Sequence, residues 1–223
     1  MLSDIVLAPS MEVLQTALGL IVLTNLCLPA AERQRLCMRL LAVQGVILGL
    51  MPLAVYSGPL DAHILGVTAA FTFIKGVLLP LLLLRTYRKL PPQPPTTPYI
   101  GNTLCVLAGL GGFVFSLWLN ENLEAVANPS FHLVFPVAAS TVFTGLLLIV
   151  TRKKALTQMF GYLVMENGIY LMGVPMAQSD AIWLEMTILL DLLAGVFVMG
   201  IAVHHIYRAF DSTDVDRFSS LRD

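Results

Sequence analysis

Long apolar segments follow one another along this chain, and short polar stretches separate them. A helix needs about 20 apolar residues to cross a hydrocarbon core about 30 Å thick. The apolar runs are continuous and do not alternate with polar residues, which disfavours the strands of an outer-membrane barrel. The pattern therefore predicts an all-α, polytopic membrane protein with seven transmembrane helices, Met11–Pro29, Leu36–Tyr56, His63–Leu84, Ile100–Leu119, Phe131–Val150, Thr157–Pro175 and Ile182–Ile206.

The orientation follows from the connections, because basic residues gather in every second one. The first span is followed by Arg33 and Arg35, and the third span by the basic segment Arg85–Leu90. The fifth span is followed by Arg152–Lys154, and the last span by Arg208. The other connections contain no lysine or arginine. The positive-inside rule then predicts an N-terminus outside and a C-terminus in the cytoplasm, which requires an odd number of spans.

Spans one to three and spans five to seven look like two parallel copies of one three-helix block. Both second helices carry a polar residue followed by glycine, Gln44-Gly45 and Asn167-Gly168, and both third helices end in an aromatic-basic cluster. We therefore expect a three-helix membrane block over 1–90, a proline-rich cytoplasmic linker with the fourth helix and an outer loop over 91–130, a second block over 131–210, and a polar cytoplasmic tail over 211–223.

The composition agrees with a membrane protein. Apolar residues make up 57% of the chain and charged residues 12%, against about 25% charged in a soluble domain. The formal net charge of −1, without a long basic run, argues against a nucleic-acid binder. Cys27, Cys37 and Cys105 form no CxxC pair and read as small buried apolar side chains and not as metal ligands.

Three charged residues fall inside predicted spans: Lys75, Glu166 and Asp191. Such a residue at the centre of a span costs about 2.5–3.5 kcal/mol on insertion scales. In the sixth span, that cost about cancels the contribution of the apolar side chains. The helix that carries Glu166 must therefore turn its polar face to protein or water.

Counting residues from the turns gives the depth of these groups. Glu166 and Asp191 are equidistant from the middle of the hairpin between spans six and seven, roughly 14 Å below its edge at about 1.5 Å per residue. Gln44 and Lys75 are likewise equidistant from the Pro59–Leu60 turn. Both blocks are thus predicted to hold a polar pair near the membrane centre.

Two interpretations of these buried groups stay open on the residues alone. In a site poor in water, a carboxylate moved toward its neutral form can take up and release a proton, as a proton relay requires. The same groups could also be a permanently paired set that only holds helices together. Glu185, His204 and His205 are weaker relay candidates, since they lie nearer the ends of the last predicted span.

The sixth span carries a motif that resembles a known family. Its segment Phe160–Gly168 reads FGYLVMENG and is similar to the FGY-x-x-MENG signature of the hydrogenase-4 component E family. Ile74–Pro80 resembles the third helix of that family, and Asp214–Asp216 its tail. Spans five to seven are also similar to the smallest, three-helix membrane subunit of respiratory complex I. Asp191 falls where the second intramembrane glutamate of that subunit lies, whereas Glu166 comes one helical turn later than the first.

The resemblance implies a membrane subunit, without catalytic residues or cofactors of its own, of a group 4 [NiFe]-hydrogenase-type complex in a prokaryotic inner membrane. Such a complex couples electron transfer to proton or sodium translocation. The nickel–iron centre and iron–sulfur clusters would lie in hydrophilic partner subunits, and the membrane neighbours would be antiporter-like subunits and an anchor subunit. Glu166 and Asp191 would be relay sites, Lys75 a relay or electrostatic modulator, and Gln44 its polar partner. A purely structural adaptor and a stand-alone secondary transporter are the alternatives.

Overall fold

A computed structural model describes residues 2–31, 33–55, 62–89, 99–122, 132–153 and 155–174, together with Gly195 and Gly200. Within these ranges the backbone is helical and contains no strand, which confirms the all-α prediction there. The elements in chain order are α1 (Leu2–Ala30), α2 (Gln34–Val55), α3 (Ala62–Phe73), a π-helix (Ile74–Leu78), α4 (Leu79–Lys89), α5 (Asn102–Asn122), α6 (Val134–Thr151) and α7 (Ala155–Gly173).

The third predicted span is one continuous rod that is α-helical at both ends and π-helical in the middle. Phe73 and Leu79, which flank the π-helix, both keep right-handed helical backbone angles. The Leu79 N–H reaches back five residues to the Ile74 carbonyl oxygen. The chain therefore passes from α3 to α4 without a break.

Five helices of the described ranges are long and apolar enough to cross a membrane: Glu12–Ala30, Gln34–Ala54, Leu65–Arg85, Asn102–Asn122 and Val134–Thr151. They correspond to the first five predicted spans. The sixth corresponds to α7, in which Gln158, Glu166 and Asn167 lower the apolar content. The seventh predicted span lies outside the described residues except for its two glycines, so the number seven stays a prediction.

The bundle buries several polar and charged side chains and exposes large apolar ones, as expected for helices in lipid. Lys75, Glu166, Gln44 and Asn25 are all buried. Large apolar side chains are exposed on the outer faces of the rods, above all on α5, where more than half of the surface of Leu104, Leu107, Val114, Phe115 and Trp118 is accessible. A soluble helical bundle would show the reverse distribution.

The buried side chains form two apolar layers. The first contains Leu14, Leu18, Ile21, Leu48, Met51, Phe71, Val134, Val137, Ala138, Tyr170, Leu171 and Val174. The second contains Leu28, Ala31, Cys37, Met38, Leu41, Leu79, Leu83, Leu148, Met159, Phe160, Leu163 and Val164. Each layer draws side chains from α1, α2, the α3–α4 rod, α6 and α7.

A polar layer separates the two apolar layers on all five of these rods. It consists of Asn25 on α1, Gln44 on α2, Lys75 on the π-helix, Thr141 on α6, and Glu166 and Asn167 on α7. Helical spacing produces this arrangement. On α2, Leu41, Gln44 and Leu48 follow at intervals of three and four residues, so they share one face. A polar residue at one position of that buried face therefore lies between apolar ones.

Glycines bring α6 and α7 into direct backbone contact. A Cβ atom added to Gly145 would lie 2.4 Å from the Met165 nitrogen, and one added to Gly161 would lie 2.7 Å from the Gly145 carbonyl oxygen. No real side chain tolerates such distances. Small residues at such contacts let helices approach closely in a membrane, where packing and not the hydrophobic effect drives association.

We expect Gly145→Ala to destabilise the bundle by about 1–3 kcal/mol, because the added methyl group forces α6 away from α7. Gly111→Ala is the matched control, since a Cβ there on α5 meets nothing within 4 Å. Alanine also favours a helix over glycine, so the control should be neutral or slightly stabilising. Denaturant unfolding of the purified chain in detergent, followed by circular dichroism, measures both. Equal effects of the two substitutions would refute the close-packing argument.

Basic residues gather at one end of the bundle. The Arg152 guanidinium donates from Nη2 to the Pro29 carbonyl oxygen at 2.8 Å, which ties the end of α6 to the end of α1. The Tyr99 N–H donates to the Thr151 carbonyl oxygen, and the Lys153 ammonium lies 4.6 Å from the centre of the Tyr99 ring. The basic connection after α6 therefore contacts the end of α1, whose following connection was predicted to lie on the same side of the membrane.

The cysteines follow the prediction in part. Cys37 and Cys105 are buried, as expected for small apolar side chains. The prediction is wrong for Cys27, which is exposed on the outer face of α1. Among the described residues, no group of three histidine, cysteine, aspartate or glutamate side chains is arranged to hold a metal ion.

Candidate functional site

Lys75 lies in the π-helix at the middle of its rod and has 3% of its surface exposed. The rod packs tightly on α2 at this level, since a Cβ on Gly45 would lie 2.5 Å from the Lys75 carbonyl oxygen. A Cβ on Gly76, the next residue, would come about equally close to the Val46 side chain. A π-helical turn within an α-helix is uncommon and is frequent at functional sites. Here the π-helix contains Lys75, a charged residue on the buried face of the rod.

The Lys75 ammonium is surrounded by groups that favour a positive charge. Its Nζ donates to Asn167 Oδ1 at 2.9 Å and lies 3.6 Å from Glu166 Oε1. The rings of Phe71 and Tyr170 have their centres 5.3 Å and 5.4 Å from Nζ, within the range of cation–π attraction. The two rings also contact each other, with their centres 4.7 Å apart.

Lys75 and Glu166 form a buried ion pair, with side chains 2% and 4% exposed. Removing two charges from water is expensive, and their attraction compensates only where further polar groups support them. The distance of 3.6 Å is longer than a direct hydrogen bond. The contact is thus electrostatic, and a small movement of either side chain would bring Nζ and Oε1 into hydrogen-bonding range.

Asn167 starts a chain of buried hydrogen bonds that leads away from the ion pair. Its Nδ2 donates to Gln44 Oε1 at 3.3 Å, and Gln44 Nε2 donates to Asn25 Oδ1 at 3.0 Å. Asn25 Nδ2 then donates to Thr141 Oγ1 at 2.7 Å, and this hydroxyl donates to the Val137 carbonyl oxygen. We call this series, from Asn167 to Thr141, the amide chain. It crosses from α7 through α2 and α1 to α6.

The two parts of the site differ in chemistry. Lysine and glutamate can exchange a proton, and the low dielectric of the layer makes the position of that proton sensitive to nearby charge. The carboxamides of the amide chain do not titrate, and they offer only N–H donors and oxygen acceptors. The Lys75–Glu166 pair is therefore the part of the described site that can act as a relay, whereas the amide chain can orient and polarise it.

A family profile, that of NADH-ubiquinone/plastoquinone oxidoreductase chain 4L, matches residues 133–223. Over the whole chain, hydrogenase-4 component E of Escherichia coli K12 is 27% identical across 205 residues, which cover 92% of this chain and 94% of the relative. The chain is a homologue of hydrogenase-4 component E. The Shigella flexneri protein of that name is similar to the same degree. The uncharacterized protein Rv0085 of Mycobacterium tuberculosis is 28% identical over 93% of this chain and 94% of its own length. No solved structure matches the fold.

The site joins the segment that resembles chain 4L to the segment that precedes it. Glu166, Asn167 and Thr141 lie within the matched residues 133–223, whereas Lys75 and Gln44 lie before them. The ion pair and its hydrogen bonds thus run between the two segments. The homology to hydrogenase-4 component E spans both, so the complete site lies within the part of the chain that this homologue shares.

The structure brings together three of the predicted site residues: Gln44, Lys75 and Glu166 lie in one layer. The Lys75–Glu166 pair was not foreseen as a contact, because residue counting gives depth and not neighbours across the bundle. The other predicted site residues lie outside the described part of the chain, namely Asp191, Glu185, His204 and His205.

Sequence reasoning missed Asn25 and Thr141, and it noted Asn167 only as part of a repeated motif. A search for charged residues inside apolar spans passes over neutral amides and hydroxyls. Asn25 did leave a signal, since it continues the buried face of Leu18, Ile21 and Leu28 with a polar side chain. Thr141 left none, because α6 carries several threonines and serines whose depth alone does not separate them.

Proposed function

We propose that this chain is a membrane subunit of a complex I-related, hydrogenase-4-type complex, and that it passes protons, or sodium ions, sideways between neighbouring subunits as electrons are transferred elsewhere in the complex. The homology to hydrogenase-4 component E and the match to chain 4L support membership of such a complex. The observation that carries the relay is the buried Lys75–Glu166 pair in a polar layer between two apolar layers.

The direction of transfer follows from the layers. On five rods, apolar side chains lie on both sides of the polar layer. A proton that moved along the membrane normal through these described rods would have to cross apolar packing at either end. A route within the plane of the polar layer avoids that cost. The exchange is therefore proposed to be lateral, toward Asp191 on the seventh predicted span and toward adjoining subunits.

The pair can work as a relay because its members stabilise each other's charge. With the proton on lysine, both groups are ionised and attract each other. With the proton on glutamate, both are neutral and need no partner charge. The balance between these forms depends on nearby charge in the low-dielectric layer. An ion that reached a neighbouring site would shift the balance and so release or capture a proton here.

The surroundings of the chain are part of the proposal. The position of Arg152 and Lys153 together at one end of the bundle supports a cytoplasmic location for that end. We further propose an N-terminus outside, seven spans and two parallel blocks in a prokaryotic inner membrane. Antiporter-like subunits, a membrane anchor subunit and hydrophilic hydrogenase-type subunits are the proposed partners. The nickel–iron centre and the iron–sulfur clusters are assigned to the hydrophilic partners and none to this chain.

The test compares charge-neutral variants in membrane vesicles that contain the assembled complex. Glu166→Gln should lower proton translocation per electron by about tenfold or more, a smaller factor than the roughly 10²–10⁴ that a positioned proton-transfer group typically contributes to a reaction rate. Asp191→Asn should act in the same direction. Glu121→Gln is the matched control, since Glu121 is exposed at the end of α5, and it should leave translocation unchanged.

Each alternative predicts a different result. If the complex translocates fully with Glu166→Gln and Asp191→Asn combined, the relay is excluded and the chain is a structural adaptor. If the purified chain alone moves ions across liposomes, it is a stand-alone secondary transporter. Mild-detergent purification should instead recover it with antiporter-like and hydrogenase-type subunits, and recovery as a homogeneous monomer would contradict membership of the complex.

A further inference from the structure

All hydrogen bonds of the amide chain run in one sense. Lys75 donates to Asn167, and each following amide accepts with its oxygen and donates with its nitrogen. Asn25 likewise donates to the Thr141 hydroxyl, which in turn donates to the Val137 carbonyl oxygen. Such a series polarises along its length, because each bond strengthens the next.

The charge of Lys75 fixes that sense. A lysine ammonium offers three donors and no acceptor, so Asn167 must present its oxygen to it. The Gln44 side-chain oxygen must then accept from the Asn167 nitrogen. In the same way, the Asn25 oxygen must accept from the Gln44 nitrogen. If a single amide reversed, its nitrogen would face a nitrogen on one side and its oxygen would face an oxygen on the other. Each such mismatch leaves buried polar atoms unpaired, which is costly, so the amides must turn together or not at all.

Both ends of the chain can support the opposite sense. The Thr141 hydroxyl can either accept from Asn25 or donate to it, because it carries both a donor and lone pairs. Lys75 can accept only as a neutral amine, which has a free lone pair. The carboxylate of Glu166, 3.6 Å from Nζ, is the acceptor that can take the lysine proton. Lysine then becomes an amine and glutamate a carboxylic acid, and the pair keeps zero net charge.

We propose that Asn167, Gln44, Asn25 and Thr141 form a concerted switch that is locked in the described direction while Lys75 holds its proton. Once that proton has passed to Glu166, the neutral amine can accept as well as donate, so the amides are free to reverse together. The switch carries this information from the π-helix to α6 and moves no proton through the amides. It rests on the proposed relay role of Lys75 and Glu166.

The groups around Lys75 identify Glu166 as the acceptor of its proton within the described residues. From α7, it faces the carboxylate of Glu166 and the phenol of Tyr170, and Phe71 lies on its own rod. From α2, the side chain of the polar layer is Gln44, which does not titrate. Within the described residues, Glu166 is therefore the acidic group that faces the lysine, and the amide chain provides its neutral contacts.

Nitrogen-15 magnetic resonance of the full chain in lipid bilayers can follow Lys75 directly. The sequence contains four lysines, Lys75, Lys89, Lys153 and Lys154, so labelled lysine gives a short spectrum in which Lys75→Met identifies one signal. Thr141→Val removes the far end of the amide chain without touching Lys75. We expect the Lys75 ammonium signal to move away from its position in the parent protein at the same pH. The charge-assisted bond from the ammonium to Asn167 then loses the polarisation that the following bonds provide.

Two variants separate the switch from ordinary packing. Thr141→Ser keeps the hydroxyl and should restore the parent position of the Lys75 signal. Thr144→Val is the matched control, since Thr144 is buried on the same helix, one turn away, and lies outside the amide chain. It should leave the Lys75 signal where it lies in the parent protein.

A second break in the chain tests whether its members act together. Asn25→Leu removes a member nearer to Lys75 and should move the Lys75 signal at least as far as Thr141→Val does. Adding Thr141→Val to Asn25→Leu should shift it no further, because the chain is already broken. If Thr141→Val does not fold, the comparison of Asn25→Leu with Thr144→Val decides the same question.

The outcomes are distinct. Equal Lys75 signals for Thr141→Val and Thr144→Val, a failure of serine to restore the parent signal, or additive shifts would each overturn the switch. A Lys75 signal that never changes form while the protein stays folded would overturn it too. If only the switch fails, translocation still depends on Glu166. If Glu166→Gln leaves translocation intact, the proposed function itself fails, whatever the lysine spectrum shows.

Discussion

Lys75→Met should destabilise the folded chain by about 3–5 kcal/mol, the usual cost of removing one member of a buried ion pair. The loss comes mainly from Glu166, because its buried carboxylate would lose the cation that now lies 3.6 Å away, in a layer enclosed by apolar packing. Asn167 would lose the Nζ donor at the same time. Unfolding of the purified chain in detergent, induced by increasing denaturant and followed by circular dichroism, gives the difference.

The double variant Lys75→Met with Glu166→Gln separates this explanation from simple loss of packing. It removes both charges, so it should recover most of the stability that Lys75→Met alone loses. Methionine occupies nearly the volume of lysine, and glutamine that of glutamate. If the double variant is as unstable as the sum of the two singles, the charges do not interact and the ion pair is not what holds these rods together.

Phe71→Ala should also cost about 3–5 kcal/mol, because it opens a cavity where the side chain is completely buried. Phe71 packs in the first apolar layer, contacts the Tyr170 ring and lies beneath the Lys75 ammonium. Its removal therefore takes away apolar packing, a ring contact and a cation–π contact together. The same unfolding measurement applies, and a reduced yield of folded chain is the first sign to expect.

Phe73 supplies the matched control, two residues further along the same rod. It is 58% exposed on the outer face, where lipid chains replace the lost contacts. Phe73→Ala should change the unfolding free energy by less than about 0.5 kcal/mol. If the two substitutions cost the same, then the rod is rotated relative to the described arrangement and Lys75 does not face the bundle interior.

Much of the fold could be predicted from the sequence, because crossing a membrane leaves few options. Apolar segments about 20 residues long must be helices, since backbone groups in lipid have to bond within their own segment. The ends of five predicted spans agree with the ends of five described apolar helices to within a few residues. The π-helix was not predicted. Its sequence, Ile74–Leu78, differs from an ordinary apolar helix only by Lys75 and Gly76, and the close contact with Gly45 on α2 appears only in the folded bundle.

The candidate site was predicted in part. Residue counting placed Gln44 and Lys75 at one depth, and α2 and the π-helix do contact each other there. It could not say which block faces which, so the pairing of Lys75 with Glu166 went unnoticed. The neutral members Asn25 and Thr141 were missed because a single amide or hydroxyl costs too little in a span to stand out, and it gains meaning only from the partner it meets.

The sequence by itself determined that this chain is a helical membrane protein, that it carries charges far from the ends of its spans, and that it resembles hydrogenase-4 component E. These conclusions follow from hydrophobicity, chain length and a local motif, each of which is a property of neighbouring residues. Only the tertiary structure decided that the polar groups of five rods form one layer, that the ion pair joins the two parts of the chain, and that its hydrogen bonds share one direction. Those features depend on how rods far apart in the sequence rotate and approach, and packing across the bundle fixes that.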